Sequence, residues 1–250
     1  MAQLIFVKLG GSAITDKNSA NTINQQVLDQ ASKELSALDC KLLIGHGGGS
    51  FPHPVAEKYN VNSGMKACGV EGFMAVRKAV MDLGEIVMKS LTSANIPAIY
   101  LPTYALTVMK NGKISEFFTS PIEKLLENNK VPVLPGDACL DLTKGCSIAS
   151  TEMIFTALAE KLKPQKIIIG TDVDGVLDQD GKLILEINSS NLGETLKNIS
   201  NPSAPDVTGG MKHKIEELLK TKIETQIINL KTPGLLTKAI NGESIGTILK

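Results

Sequence analysis

Leu42-Leu43-Ile44-Gly45-His46-Gly47-Gly48-Gly49-Ser50-Phe51-Pro52-His53-Pro54 sets a short apolar run directly against a glycine loop that closes on a histidine between two prolines. Residues 42–44 read as a strand, and the loop is the segment that the strand delivers. Three consecutive glycines cost conformational entropy, so they are expected where a ligand must lie against the backbone. The segment is a poor dinucleotide fingerprint, because G-x-G-x-x-G requires glycine where Ser50 stands. A G-x-x-x-x-G-K-S/T phosphate loop occurs nowhere in the chain. His53 is placed to donate to a phosphate oxygen, with an ordinary structural histidine as the alternative. His46 and His53 have no nearby carboxylate, which argues against zinc, and no metal site is assigned.

Outward from that loop, unbroken apolar runs recur at 4–7, 42–44, 96–101, 131–134, 167–169, 226–230 and 245–249. They do not alternate apolar with polar residues, which is the pattern of strands covered on both faces. Helical spacing lies between them. Val27, Leu28, Ala31, Leu35 and Leu38 form one apolar face, with Thr22 and Gln25 as a capping box ahead of it. Phe73, Val76, Val80, Leu83, Val87, Leu91 and Ala94 form a longer one, with Gly84 inside it. Strands alternating with helices of this length predict an α/β fold on a mostly parallel sheet. Asn201-Pro202-Ser203-Ala204-Pro205-Asp206 reads as the clearest loop, of the kind that covers phosphates.

The chain has 250 residues, 42% of them hydrophobic, and 26 basic against 26 acidic side chains. A chain of that length buries roughly 70–75% of the surface it exposes when unfolded, so a full core is available. Zero net charge leaves no field for a polyanion, which excludes nucleic acid as the main partner. The first apolar run stops at Lys8 after four residues, far short of the ~20 that span a bilayer. Cys40, Cys68, Cys139 and Cys146 match no metal or redox spacing, and they read as reduced, mostly buried thiols of a cytoplasmic protein. Gly-x-Ser-x-Gly is absent, and no cysteine adjoins a histidine in sequence.

Three further segments share the character of the glycine loop. The first strand runs into Lys8-Leu9-Gly10-Gly11-Ser12-Ala13-Ile14-Thr15-Asp16-Lys17, a tight turn with amide donors between two lysines. Transfer of a phosphoryl group calls for fixed cations and amide donors more than for a nucleophile. The run at 167–169 leads into Gly170-Thr171-Asp172-Val173-Asp174-Gly175-Val176, at the strand end where open α/β sheets bind ligands. Asp206-Val207-Thr208-Gly209-Gly210-Met211-Lys212-His213-Lys214 opens a helix beside lysines. Each segment alone is compatible with a plain turn; four together point to phosphate chemistry.

Lys8 to Ser12 with Thr15 to Lys17, His46 to Phe51 with His53, Thr171 to Val176, and Thr208 to Met211 together resemble the amino acid kinase superfamily. Within it, the order from Gly47 to Ala56 is similar to the branch that phosphorylates isopentenyl phosphate in the archaeal-type mevalonate route. The resemblance implies a three-layer α/β/α sandwich with a mostly parallel central sheet, in a single domain 1–250. An acceptor lobe would cover about 1–160 and a nucleotide lobe about 161–250. It also implies a homodimer and Mg2+ with ATP as co-substrate.

Residue by residue, the resemblance implies that Lys8, Gly10, Gly11 and Ser12 hold ATP phosphates and that Lys17 stabilises the transferring phosphoryl group. Gly48 and His53 would bind the acceptor phosphate, and Gly49 the nucleotide. Thr171, Asp172 and Gly175 would meet the nucleotide near its base or ribose, with Gly210 and Lys214 closing over its phosphates. Ile148 to Met153 aligns with a Ser-Gly-Asp-Asp stretch of the family, so Glu152 stands for the acid that orients the lysines, and Thr151 adds a side chain at the acceptor contact. Asp137 is retained. Pro52 replaces a glycine and restricts φ beside His53. The acceptor pocket would be walled by the long helix through Phe73, Met74, Arg77 and Met81. Two alternatives stand beside this reading: a kinase of another small acceptor, such as a phosphonate, and a catalytically silent nucleotide-binding module. Four retained cations, Lys8, Lys17, His53 and Lys214, speak against the second.

Overall fold

The computed structural model describes residues 3–199 and 210–250, so the loop from Asn201 to Asp206 and the segment from Val207 to Gly209 lie outside the described residues. The strands in chain order are β1 (Leu4–Leu9), β2 (Lys41–His46), β3 (Ala98–Tyr100), β4 (Thr107–Lys110), β5 (Lys113–Phe117), β6 (Val131–Pro135), β7 (Asp137–Asp141), β8 (Gly145–Ala149), β9 (Lys166–Thr171), β10 (Glu186–Ile187), β11 (Thr225–Asn229) and β12 (Thr247–Leu249). The helices are α1 (Gly11–Ile14), α2 (Gln25–Ser36), α3 (Pro52–Lys58), α4 (Met65–Ser93), α5 (Thr103–Leu106), α6 (Ser120–Glu127), α7 (Thr151–Leu162), α8 (Leu192–Asn198), α9 (Gly210–Leu219) and α10 (Leu235–Ile240).

Every apolar run read from the sequence becomes a strand of one eight-stranded sheet, ordered β10-β12-β11-β9-β1-β2-β6-β3. The six strands from β11 to β3 are parallel, and β10 and β12 run against them. β1 shows why its run carries no alternation. Ile5 and Val7 face one core layer with α2, α4 and α10, whereas Phe6 faces the other and meets the ring of Phe155 on α7 at 5.2 Å. Each such fully buried side chain contributes about 1.5–3 kcal/mol, enough to fix the strand's position in the sheet.

The parallel register sets up the site. Leu9 pairs with His46 on one side and with Gly170 on the other, so the chain leaves β1, β2 and β9 at one level. The segments after them crowd together. A Cβ on Gly10 would lie 2.1 Å from the Gly170 carbonyl oxygen, and one on Gly11 would lie 2.2 Å from the Gly49 nitrogen. Only glycine allows these loops to touch.

The structure departs from the sequence reading at α2, in a second sheet and along the long helix. The capping box ahead of α2 does not form: Asn24 is the N-cap without a side-chain bond, and the Thr22 hydroxyl donates to the Ala20 carbonyl instead. Thr22 lies two residues too early to reach the helix. A second sheet, ordered β5-β4-β7-β8, was not foreseen. Its strands are short and partly exposed, so they lack the unbroken apolar signature. The long helix is α4, which begins at Met65, ahead of the expected stripe, and bends where Gly69 takes φ +63°. Gly84 inside it makes room for Tyr100, whose hydroxyl would lie 2.6 Å from an added Cβ.

Candidate active site

A cavity of about 570 Å3 opens at the carboxyl ends of β1, β2 and β9. Its polar centre gathers residues from all four glycine-bearing segments. Lys8, Gly10, Gly11, Ser12 and Lys17 come from the first, Gly48, Gly49 and His53 from the second, and Thr171, Asp172 and Gly175 from the third. Lys214 on α9 represents the fourth, and Asp137, Thr151 and Glu152 also line it. Gly210 opens α9 at φ +70°, and Met211 and Lys214 of the same helix line the cavity.

Lys8 leaves the end of β1 buried, and its Nζ lies 2.6 Å from Glu152 Oε1. Burial raises the Glu152 pKa, but the Lys8 and Lys214 charges and the Lys8 hydrogen bond outweigh it and hold the carboxyl below its usual range. The pair therefore stays ionised, with the ammonium aimed by a fixed carboxylate. Glu152 sits on the first turn of α7, whose N-cap Ser150 accepts the Met153 amide at 3.2 Å. Its extra methylene, relative to aspartate, is taken up in reaching Lys8. At the cavity mouth Lys17 Nζ lies 2.6 Å from Asp172 Oδ2. Burial raises the Asp172 pKa, and bonds from Lys17 and Ser12 bring it below its usual value.

The two departures from the family pattern each have a definite place in the fold. Pro52 is the first residue of α3, where a fixed φ suits the helix and no amide bond is lost. Thr151 lines the cavity, and its hydroxyl donates to the His46 carbonyl at 2.9 Å. Its methyl lies 2.4 Å from where a Cβ on Gly45 would stand. Gly45 and Thr151 therefore fit as a pair, directing the threonine side chain to the end of β2.

The expected pocket wall is also revised. Phe73 is buried among Ala56, Val61 and Val76, whereas Met74 and Met81 are exposed. Arg77 is buried, stacks 3.1 Å over the Tyr104 ring and pairs with Asp137 at 3.0 Å. Burial pushes the Asp137 carboxyl up to about 6 in spite of that guanidinium. The wall comes from the neighbouring face of α4 through Val76 and Val80, with Ala56, Ala138 and Ile148. Val76 and Val80 were visible in the helical stripe; Ala138 and Ile148 were not, since they belong to the unforeseen sheet. A second apolar group, Leu177, Ile199, Met211 and Ile227, lines the cavity on the β9 and β11 side. Cations and backbone amides in the middle, with an apolar compartment on either side, suit two phosphorylated ligands meeting head to head. All four cysteines are free, three buried and Cys40 half-buried. Among the described residues no group of three or more histidine, cysteine or acidic side chains is placed to hold a metal ion, and no helix is long and apolar enough to cross a membrane.

The family model of the amino acid kinase family matches residues 3–229. The chain belongs to the amino acid kinase family. Within the family it is 37% identical over 256 residues to the isopentenyl phosphate kinase of Methanocaldococcus jannaschii, covering 98% of this chain and 97% of that one. It is 34% identical to the isopentenyl phosphate kinase of Methanothermobacter thermautotrophicus, covering 97% of each. Among solved structures, the chain superposes on an isopentenyl phosphate kinase with a TM-score of 0.86 at 31% identity, over 99% of this chain and 100% of that one.

Proposed function

We propose that the protein transfers the γ-phosphoryl group of ATP to the phosphate of isopentenyl phosphate, giving isopentenyl diphosphate and ADP. The observation that carries this reading is the apolar compartment of Ala56, Val76, Val80, Ala138 and Ile148, which opens from the same cavity as Gly48, His53 and the Lys8–Glu152 pair. A short prenyl chain buried there gains about 0.8 kcal/mol per methylene, while its phosphate stays in the polar centre. Full-length relatives named isopentenyl phosphate kinase support the same acceptor.

In the reaction an acceptor phosphate oxygen attacks the γ-phosphorus, the new P–O bond forms, and the bond to the β-phosphate oxygen breaks with ADP leaving. The acceptor's monoester is already largely dianionic near neutral pH, so no general base is required. Lys8, held by Glu152, and Lys17, released from Asp172, face the transferring group, with the amides of Gly10, Gly11 and Ser12 on the ATP phosphates. His53 and Gly48 hold the acceptor phosphate, and Gly49 faces the nucleotide. Lys214 neutralises the ATP phosphates from α9, and Thr171, Asp172 and Gly175 lie toward the ribose and base. Asp137 acts from behind, by fixing Arg77. Mg2+ would accompany ATP as its counter-ion and neutralise charge on the phosphates; among the described residues no group of three or more histidine, cysteine or acidic side chains is placed to hold it. In this reading an acceptor lobe of about 1–160 and a nucleotide lobe of about 161–250 meet at the cavity, in a cytoplasmic homodimer.

ADP release from Mg-ATP, measured against isopentenyl phosphate, dimethylallyl phosphate, longer prenyl phosphates, fosfomycin and small amino acids, tests the acceptor. Turnover is expected on isopentenyl phosphate, and His53→Ala is expected to lower kcat/KM for it by about a hundredfold through loss of a charge-assisted donor. Activity on fosfomycin or an amino acid with none on prenyl phosphates would sink the substrate and keep the kinase.

A further inference from the structure

The geometry points to Thr15 as a positioning residue that locks the phosphate-facing loops together through its hydroxyl. This inference rests on the phosphoryl-transfer reading above. Thr15 follows the last residue of α1 and is buried, and it is absent from the cavity lining. Its Oγ1 donates to the Gly11 carbonyl at 2.7 Å and accepts the Ser50 amide at 3.0 Å. The first bond is a common local one, four residues back along the chain. The second reaches across 35 residues and ties the loop after β1 to the loop after β2.

The packing around that oxygen is close. Gly49 sits at φ +55°, and a Cβ there would lie 2.1 Å from Thr15 Oγ1 and 2.6 Å from the Gly11 oxygen. The hydroxyl therefore sits tightly between two backbone turns that both contribute residues to the cavity lining. A third segment hangs from the same point. Thr15 bridges Ile23, and the Asp16 amide bonds the Thr22 carbonyl at 2.9 Å, closing the base of the loop that carries Lys17. Ser50 holds the far side of that loop, its carbonyl accepting the Asn21 amide at 3.1 Å and its Oγ donating to the Thr22 carbonyl at 3.4 Å. One buried oxygen thus fixes the relative positions of the Gly11 turn, the Gly49 turn and the stem of Lys17. In the reading above Gly11 meets the ATP phosphates, Gly49 the nucleotide and Lys17 the transferring group, so their mutual placement sets the in-line geometry, and reacting groups misplaced by about 1 Å lose rate by orders of magnitude.

Valine at position 15 keeps the shape and removes the hydroxyl, leaving the Ser50 amide without its acceptor; serine keeps the hydroxyl and removes the methyl. With wild type active, Thr15→Val is expected to lose about 10- to 100-fold in kcat with isopentenyl phosphate, while KM for Mg-ATP changes by less than about threefold. Thr15→Ser is expected to stay within about threefold of wild type in both. A purely structural role would lower the melting temperature of Thr15→Val and leave the kcat of the folded fraction intact, and that result overturns the inference. In wild type the Ser50 amide is expected to exchange with solvent as slowly as the amides of β2. Exchange at the rate of an open loop overturns it as well, and this measurement decides the matter if Thr15→Val does not fold. Wild type that is inactive on every acceptor would instead count against the functional reading, which the exchange measurement does not depend on.

Discussion

His46 closes β2 with its side chain buried beneath Tyr100, the two rings 6.1 Å apart and inclined at 25°. Nδ1 lies 3.2 Å from the Gly47 carbonyl, and Nε2 is buried without a hydrogen-bond partner among the described residues. Burial, with the Lys8 charge adding to it, lowers the imidazole to about 4 from its ordinary 6.5. The folded chain thus keeps His46 neutral while the unfolded chain takes up a proton, so stability falls as pH drops from about 6.5 to about 4. Asp137 has the opposite sign. Its carboxyl is held up at about 6 against an ordinary 3.8, so over that interval the unfolded chain releases the proton first and stability falls as pH rises. The two slopes oppose each other in wild type. His46→Asn removes one of them, and the difference in unfolding free energy between wild type and variant is expected to shrink by about 3 kcal/mol from pH 7 to pH 4. Urea unfolding at pH 7, 6, 5 and 4 measures it, and a difference that does not change with pH would refute the assignment. The sequence could place both histidines around one glycine loop, and His53 indeed lines the cavity. It could not separate their roles, because only the pairing of His46 with Leu9 puts the former inside the sheet.

At the scale of elements, Asp141 at the end of β7 organises the second sheet. Its carboxylate accepts the amides of Asn111, Gly112, Thr143 and Lys144 and the Ser147 hydroxyl, at distances from 2.7 to 3.1 Å. One side chain therefore shapes both the β4–β5 turn and the β7–β8 turn. Burial raises its pKa, but the donors from Gly112, Lys144, Ser147 and Thr143 more than reverse this and hold the carboxyl well below the usual range. Asp141→Ala leaves buried donors unpaired and is expected to cost about 3 kcal/mol at pH 7, or roughly 6–12 °C in Tm. Because the folded pKa is depressed, the ionised group's contribution is full above about 3.8 and is lost as pH falls below it, so the Tm gap should narrow in acid. Thermal melts of both proteins at pH 7 and pH 3.5 test this; a Tm unchanged at pH 7 would show that the turns hold without it. The large sheet was legible because β1, β2, β6, β9 and β11 are buried on both faces and spell out continuous apolar runs. The small one was not, because β4 and β5 mix lysine, glutamate and serine with isolated apolar residues, and the carboxylate that joins their turns is 30 residues away in sequence. Ala138 and Ile148, which line the cavity from β7 and β8, share that weak signature.

For the whole molecule, α4 carries two apolar faces. Val76, Val80, Leu83 and Val87 are buried, whereas Val70, Met74 and Met81 are 69%, 55% and 49% exposed. Helical spacing alone shows a stripe without saying which side is covered, which is why Met74 and Met81 were expected in the pocket and are found outside. β7 packs against α4, and its Leu140 shares the strand face of Ala138 yet is 53% exposed. These exposed apolar side chains, three on α4 and one on β7, suit a covered surface, since a monomer seldom leaves a large apolar area open. The flanking Lys78 and Asp82, bonded i to i+4, place both signs of charge beside it. A patch with both charges on one helix suits a two-fold contact in which the same surface meets itself. The proposed homodimer is therefore expected to form through α4 and β7. Sedimentation of wild type is expected to give twice the chain mass of 26.6 kDa, and Met74→Glu with Met81→Glu is expected to give 26.6 kDa with the circular dichroism of wild type. Two carboxylates facing their own symmetry mates in an apolar contact would each need desolvation without a partner, a cost of several kcal/mol that a contact of this kind does not recover. A wild type that sediments as a monomer, or a variant that remains a dimer, would place the contact elsewhere.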